Sequence, residues 1–203
     1  MKVLITGATG FIGSCIVEKL IQKKIDFVSI GRNKPALSSE HIFLDLLNVN
    51  NFTEVIKRSE VSHLIHLAWF TEHNEYWSSS LNEDWVNSTI KLVQACCEAE
   101  FSRIVIAGTC AEYDWSYSNY NEETTPINPS TLYGKSKNKT RKFVFSVCEK
   151  EKVSCAWARL FFPFGPGESQ KRLIPSLISV FKNQKEPFGV NAKACRDFLY
   201  IDD

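Results

Sequence analysis

Short apolar runs alternate with longer amphipathic segments along the whole chain. The runs are nearly continuous, as in Ile104-Val105-Ile106-Ala107, which is typical of strands covered on both faces of a sheet. The longer segments carry apolar side chains at helical spacing. We predict strands at 2–6, 26–31, 41–45, 62–67, 103–107 and 153–159, and helices at 11–23, 51–59, 84–99, 131–151 and 171–183. This alternation predicts an α/β fold with a doubly wound parallel sheet.

Composition narrows the class of protein. With 203 residues, 44% of them hydrophobic, the chain can bury one core. A net charge of +1 argues against nucleic-acid binding. No apolar run reaches membrane-spanning length, and Met1-Lys2 leads directly into a strand without the pattern of a signal peptide. The seven cysteines are odd in number and form no CxxC pair, so we expect no disulfide framework, no metal site and a cytoplasmic location.

The first predicted strand is followed by three glycines at three-residue spacing, and a helix begins there. Gly7 would permit the turn, Gly10 the approach of phosphates, and Gly13 the contact of helix against strand. Free N–H groups and the dipole of the helix attract an anion such as a dinucleotide pyrophosphate. An ordinary turn is the alternative. The predicted cofactor contacts here are Gly7, Thr9, Gly10, Phe11, Ile12 and Gly13.

Arg32 follows the second predicted strand, where NAD-specific enzymes commonly place a carboxylate about 20 residues past the glycines. An arginine at this place suits the 2′-phosphate of NADP, and Asp26 precedes the strand. We therefore predict NADP, with NAD as the second choice. A solvated loop arginine is the alternative.

Tyr133 and Lys137 lie four residues apart near the start of a predicted helix and share one face. A lysine beside a phenol lowers the phenol pKa, so the tyrosine can exchange a proton with an alcohol or ketone. Thr109 follows the fifth strand and reaches the same edge of the sheet. We predict these three as catalytic residues; an exposed helix face is the alternative for the Tyr-x-x-x-Lys pair.

With these motifs the chain resembles the extended short-chain dehydrogenases/reductases of the NAD-dependent epimerase/dehydratase family, Rossmann-fold enzymes that act on nucleotide sugars. Segments 63–68, 129–137, 159–167 and 196–203 resemble further family signatures. The resemblance implies cofactor contacts at Asp45, Leu46, Leu67, Ala68, Asn87, Tyr133, Lys137 and Pro163, and a substrate diphosphate contact at Arg196. Residues 1–165 would form the dinucleotide-binding domain, and 166–203 only the start of a substrate lobe.

Three departures from the family pattern affect the expected reaction. Cys110-Ala111 follow Thr109 where 4,6-dehydratases carry acidic residues, which argues against that activity. Glu112 comes later and could be held structurally. Phe162 replaces an asparagine of many relatives. Cys110 lies one residue too early to match the cysteine of 3,5-epimerising relatives, so we interpret Cys110 as a packing residue.

Aromatic residues are dense after the fourth and fifth strands, in segments 69–77 and 113–120. Trp69 and Tyr113 are predicted to contact the substrate, with loop packing or a subunit contact such as a homodimer as the alternative. The sequence thus predicts an NAD(P)-dependent epimerase or 4-ketoreductase acting on a nucleotide-linked sugar. A non-catalytic dinucleotide-binding module, or a remnant without turnover, is the second hypothesis.

Overall fold

The computed structural model describes residues 1–38, 40–49 and 51–203. The strands are β1 (Lys2–Thr6), β2 (Asp26–Gly31), β3 (Glu40–Phe43), β4 (His63–His66), β5 (Arg103–Thr109), β6 (Ser154–Leu160), β7 (Pro163–Phe164) and β8 (Leu199–Tyr200). The helices are α1 (Phe11–Gln22), α2 (Thr53–Ser59), α3 (Leu81–Glu98), α4 (Leu132–Lys150) and α5 (Leu173–Phe181). Two short 3-10 turns cover Leu46–Asn48 and Cys110–Glu112.

Six strands form one parallel sheet in the order β3-β2-β1-β4-β5-β6. Thr6 at the end of β1 pairs with Ile30 on one side and His66 on the other. The strand order reverses between β1 and β4, which opens a crevice at their carboxyl ends. The predicted doubly wound α/β fold is confirmed. Strands β7 and β8 form a separate two-stranded parallel sheet.

The two faces of the six-stranded sheet carry separate apolar clusters. The larger joins strand residues such as Leu64 and Ile104 to Leu92 of α3 and Val144 of α4. The smaller joins Ile5 of β1 to Val17 and Leu20 of α1. Both faces are therefore covered, which explains why the strand sequences are continuously apolar. No helix in the described part of the chain combines the length and the hydrophobicity needed to cross a bilayer.

Cysteines contribute to the larger cluster between α3 and α4. Cys96, Cys97 and Cys148 are buried there, and Cys155 of β6 packs against them. The Sγ atoms of Cys97 and Cys148 lie 4.0 Å apart, and all seven cysteines are free thiols. Burial raises the pKa of the Cys96 thiol well above its usual value. These side chains behave as small apolar groups, as the sequence predicted.

The bounds of β1 and β2 are as predicted, and those of the other predicted elements differ by one to three residues. Two of these differences affect the site. Helix α3 begins at Leu81 rather than at 84, and its added first turn carries Asn82, which is fully buried. Strand β5 continues to Thr109 because it pairs with β6 as far as Leu160. This extension brings the Thr109 side chain to the end of the sheet.

Candidate active site

A cavity of about 970 Å³ lies at the carboxyl ends of β1 and β4. Its wall includes the turn from Gly7 to Gly13, the end of β2 at Arg32, and the segment 67–73 that follows β4. Segment 168–174 and Phe198 close another side. The cavity therefore occupies the crevice in which ligands of such sheets bind.

The glycine turn is shaped for a close approach of chain and ligand. Gly7 has a φ of +70°, and a Cβ there would lie 2.7 Å from the backbone nitrogen of Ala68. A Cβ on Gly13 would collide with the carbonyl oxygen of Gly7. Gly10 is the N-cap of α1 and supplies no side-chain cap, so the first N–H groups of the helix lack a side-chain acceptor beside the cavity. These features fit a pyrophosphate.

A buried histidine holds in place the backbone that lies against the glycine turn. His66 is 2% exposed, and its Nδ1 lies 2.7 Å from the Thr6 hydroxyl while its Nε2 lies 2.9 Å from the Thr89 hydroxyl. The Thr6 oxygen accepts the N–H groups of Leu67 and Ala68, both at 3.2 Å, so its own proton is free to point to Nδ1. Burial lowers the pKa of His66 to about 3, which keeps the ring neutral. His66 therefore positions the Leu67-Ala68 backbone.

The side of the cavity beyond β2 contains two predicted cofactor residues with different surroundings. Arg32 is exposed at the end of β2 and lines the cavity. Asp45 also lines it, but its carboxylate accepts the Leu47 N–H at 3.2 Å and the Asn48 amide at 2.8 Å. Leu46, next to it, is buried. Asp45 thus shapes the backbone here, and Arg32 offers the mobile positive charge.

The three predicted catalytic side chains lie near the end of β5. Thr109 lies beside the Tyr133 phenol, and its hydroxyl accepts the Ala111 N–H at 3.2 Å. The Lys137 ammonium donates to the Ala107 carbonyl oxygen at 2.9 Å and lies 3.8 Å from the centre of the Trp69 ring. We call Thr109, Tyr133 and Lys137 the reactive cluster. None of its members is among the described residues that line the cavity.

Burial dominates the proton affinities in the reactive cluster. Tyr133 is 9% exposed, and its burial raises the phenol pKa, although the neighbouring Thr109 hydroxyl acts in the other direction. Burial lowers the pKa of Lys137 to about 7, with the nearby Glu112 opposing that change. The Lys137 ammonium faces Ala107 and Trp69, and the effect of Lys137 on the Tyr133 pKa stays a prediction.

Glu112 forms a buried charge network behind Thr109. Its Oε1 accepts the Thr109 N–H at 3.0 Å and the Trp157 indole N–H at 2.8 Å. Its Oε2 lies 3.1 Å from Nε of Arg159 and 3.5 Å from Nε of Arg141. Glu112 is fully buried, accepts three hydrogen bonds and forms an ion pair with Arg141, so it holds the end of β5 rather than facing a ligand. The sequence expectation of a structural role agrees with this geometry.

The family of this protein follows from a match over nearly its whole length. Residues 3–203 match the NAD dependent epimerase/dehydratase family. The chain belongs to this family.

No group of three His, Cys, Asp or Glu side chains that could hold a metal ion occurs within residues 1–38, 40–49 and 51–203.

Relatives of this family cover the chain from end to end. It is 26% identical over 210 residues to the dTDP-6-deoxy-L-talose 4-dehydrogenase (NAD(+)) of Aggregatibacter actinomycetemcomitans, across 100% of this chain and 77% of that one. Identity to the dTDP-D-glucose 4,6-dehydratase of Dictyostelium discoideum is 24% over 230 residues, across 100% and 53%. The solved structure of MoeE5 in complex with UDP-glucuronic acid and NAD has a TM-score of 0.83 at 26% identity, across 99% and 68%. The chain thus spans 53% to 77% of these proteins' lengths.

Several residues that the family resemblance singled out do line the cavity. Leu67, Ala68, Pro163 and Arg196 all contribute to its wall, as does Trp69 of the aromatic segment after β4. Arg196 is exposed, and its guanidinium lies 5.4 Å from the centre of the Phe162 ring. Phe162, which stands where many relatives have asparagine, therefore gives Arg196 an apolar support instead of a polar contact.

Besides the reactive cluster, two predicted contacts do not line the cavity. Asn87 is exposed on the outer side of α3, and Trp85, two residues earlier, lines the wall in its place because the helix turns about 200° over that interval. Tyr113 is 2% exposed, and its hydroxyl accepts the Arg159 N–H at 3.2 Å. Its ring packs on Tyr120 and Phe161. Sequence spacing did not reveal Trp85, because its aromatic side chain also fits the buried face of an amphipathic helix.

Proposed function

We propose that this protein is an NAD(P)-dependent epimerase or 4-ketoreductase that acts on a nucleotide-linked sugar. The observation that carries the proposal is that Thr109 and Tyr133 lie side by side at the end of β5, with Lys137 one turn further along α4, next to a crevice with a glycine turn. Such a pair can exchange a proton with one substrate oxygen. The talose dehydrogenase is named for oxidation at sugar position 4, and MoeE5 holds a UDP-sugar together with NAD, which supports this class of substrate.

The cofactor that fits the crevice is a nicotinamide dinucleotide, which supplies hydride transfer when bound. Gly7, Gly10 and Gly13 would hold its pyrophosphate against the N-terminus of α1. Leu46 and the backbone of Asp45 would contact the adenosine. Arg32 favours the 2′-phosphate of NADP, whereas the talose dehydrogenase is named for NAD(+) and MoeE5 contains NAD. We propose NADP on the charge of Arg32.

Tyr133 would move the proton in this scheme. Its hydroxyl donates to or accepts from the substrate oxygen at the reacting carbon, and Thr109 holds the same oxygen by a hydrogen bond. An ammonium at Lys137 brought near the phenol would lower the Tyr133 pKa, which burial alone raises. Arg196 lines the cavity wall and would meet the substrate diphosphate. Dehydration at positions 4 and 6 is disfavoured because Cys110 and Ala111 carry no acid, and Glu112 is held by two arginines.

Tyr133→Phe tests the proposal, with Tyr117→Phe as a control because Tyr117 is exposed. We expect Tyr133→Phe to bind cofactor normally and to lower NADPH consumption with a 4-keto sugar nucleotide, or the epimerisation of a sugar nucleotide, about 10²–10⁴-fold. Turnover at the parental rate would refute the role of Tyr133. Mass spectrometry of co-purified ligands would name the cofactor and the sugar nucleotide together.

The second candidate, a dinucleotide-binding module without turnover, is favoured by one observation. The reactive cluster does not line the cavity in the described residues. Cofactor binding without turnover of any sugar nucleotide would support this candidate.

In either case we propose a cytoplasmic protein that forms a homodimer. Light scattering of the purified chain would test the homodimer.

A further inference from the structure

Lys137 is covered by one aromatic ring. The side chain is 3% exposed, and its Nζ lies 3.8 Å from the centre of the Trp69 ring. Trp69 is 9% exposed and belongs to the cavity wall, whereas Lys137 does not belong to the described wall. The indole is thus in contact with the cavity and with the ammonium at the same time. This distance is short for a cation–π contact, which forms within about 6 Å.

The Trp69 ring is held in this position by a buried amide. Its Nε1 donates to Oδ1 of Asn82 at 2.8 Å. Asn82 is fully buried, and its Nδ2 donates to the carbonyl oxygens of Tyr76 at 2.7 Å and Ser79 at 2.8 Å, which fixes the orientation of the amide. Trp85 stacks on the other tryptophan with ring centres 6.2 Å apart. A ring that is anchored in this way occupies one defined place.

We infer that Trp69 is a cover over Lys137, which closes the reactive cluster off from the dinucleotide cavity and is displaced when the reacting end of the cofactor enters. This inference rests on the proposed function for its second part, the displacement. The cover itself rests only on the contacts of Trp69 with Lys137, Asn82 and the cavity. Lys137 would then exchange the indole face for the cofactor, so part of the cofactor's binding free energy is used to open the site.

The cover is tested by the chemical accessibility of Lys137 in the free protein. A short pulse of acetic anhydride at pH 8 acylates exposed amines, and peptide mass spectrometry compares Lys137 with Lys135, an exposed lysine of the same helix. Since burial lowers the pKa of Lys137 to about 7, its amine is reactive at this pH and access limits the rate. We expect Trp69→Ala to raise the Lys137 to Lys135 labelling ratio about tenfold.

Trp115→Ala is the matched control, because it removes an indole that is 43% exposed and donates to the Cys110 carbonyl oxygen rather than stacking on Trp69. We expect its labelling ratio to stay at the parental value. An unchanged ratio in Trp69→Ala, or an equal rise in both variants, would overturn the assignment of the cover to Trp69. If Trp69→Ala fails to fold, as judged by circular dichroism, Trp69→Phe takes its place. That variant loses only the bond to Asn82 and part of the ring, and we expect an intermediate ratio.

Cofactor affinity tests the displacement. ADP ends before the second ribose, so it binds without reaching Lys137, and its affinity should be the same in the parent and in Trp69→Ala. At pH 6, where Lys137 carries its charge, NAD(+) or NADP(+) should bind Trp69→Ala about three- to tenfold more tightly, because a cation–π contact corresponds to a factor of about two to thirty that no longer has to be overcome. Weaker dinucleotide binding with unchanged ADP binding would overturn the displacement and make Trp69 a cofactor contact. If the parent binds neither ligand, the proposed function fails, and the labelling ratio still decides the cover.

Discussion

Glu112 offers a test of how charge stabilises the end of β5. Its carboxylate is fully buried and accepts hydrogen bonds from Thr109 and Trp157, and it neutralises Arg159 and Arg141, whose side chains are only 17% and 20% exposed. Replacement by alanine would leave two nearly buried guanidinium groups without a counter-charge. Loss of one partner from a buried pair costs about 3–5 kcal/mol. That is a large share of the roughly 5–15 kcal/mol that stabilises a typical domain.

Glu112→Gln separates charge from shape. The amide oxygen can still accept from Thr109 and Trp157, but its NH₂ group would face Arg159 at the position of an oxygen that now lies 3.1 Å from Nε. Two charge-assisted contacts are lost, each worth about 1.5–3 kcal/mol. Because part of the loss is regained by relaxation toward solvent, we expect a decrease of about 2–3 kcal/mol in the free energy of unfolding.

The measurement is urea unfolding at neutral pH, followed by tryptophan fluorescence. Glu151→Gln is the control, because Glu151 pairs at 3.1 Å with a Lys150 side chain that is 81% exposed. An exposed pair of this kind contributes at most about 1 kcal/mol. The reasoning is refuted if Glu112→Gln unfolds within about 1 kcal/mol of the parent with an unchanged denaturant slope.

Three further predictions concern the cofactor site. Gly10→Val should fold, since a Cβ there meets only the Gly7 oxygen at 3.3 Å, yet it should abolish dinucleotide binding in a fluorescence titration; Gly189→Val, with open space around its Cβ, should bind as the parent does. Arg32→Ala should weaken NADPH about ten- to hundredfold and leave NADH nearly unchanged, and equal losses would contradict its role. Burial lowers the pKa of Lys137 from 10.5, its value in the unfolded chain, to about 7 in the folded protein. Between these two pH values the unfolded chain holds the proton and the folded protein does not, so the free energy of unfolding rises with pH. Against Lys137→Met, the parent should therefore gain about 2 kcal/mol in urea unfolding between pH 7 and 9, and a pH-independent difference would contradict this shift.

The fold was predictable because each of its elements has a local signature. Continuous apolar runs mark strands such as β5, and the glycine turn marks the entry to α1. Helix α3 began three residues before its predicted start because Asn82, a polar residue, is buried there by three hydrogen bonds. Such tertiary contacts leave no trace in hydrophobic periodicity.

The site was predictable only in part, for the same reason. Thr109 and Tyr133 are brought together by strand order, which the pattern of elements determines. The contact of Lys137 with Trp69 joins a helix to a distant loop, and no spacing rule predicts it. Asn87 and Tyr113 were expected at the cavity because their side chains suit a ligand. Asn87 is exposed to solvent instead, and the Tyr113 hydroxyl accepts a hydrogen bond from Arg159.

The reaction rate of the buried thiols between α3 and α4 can report how often this part of the protein opens locally. Cys96, Cys97 and Cys148 are buried together, whereas Cys195 is exposed. A thiol reagent should modify Cys195 at once, and the buried trio only when the two helices separate. The rate at which the slow thiols react then reports the opening frequency of the helical layer, and any ligand that bridges the sheet and these helices should slow it.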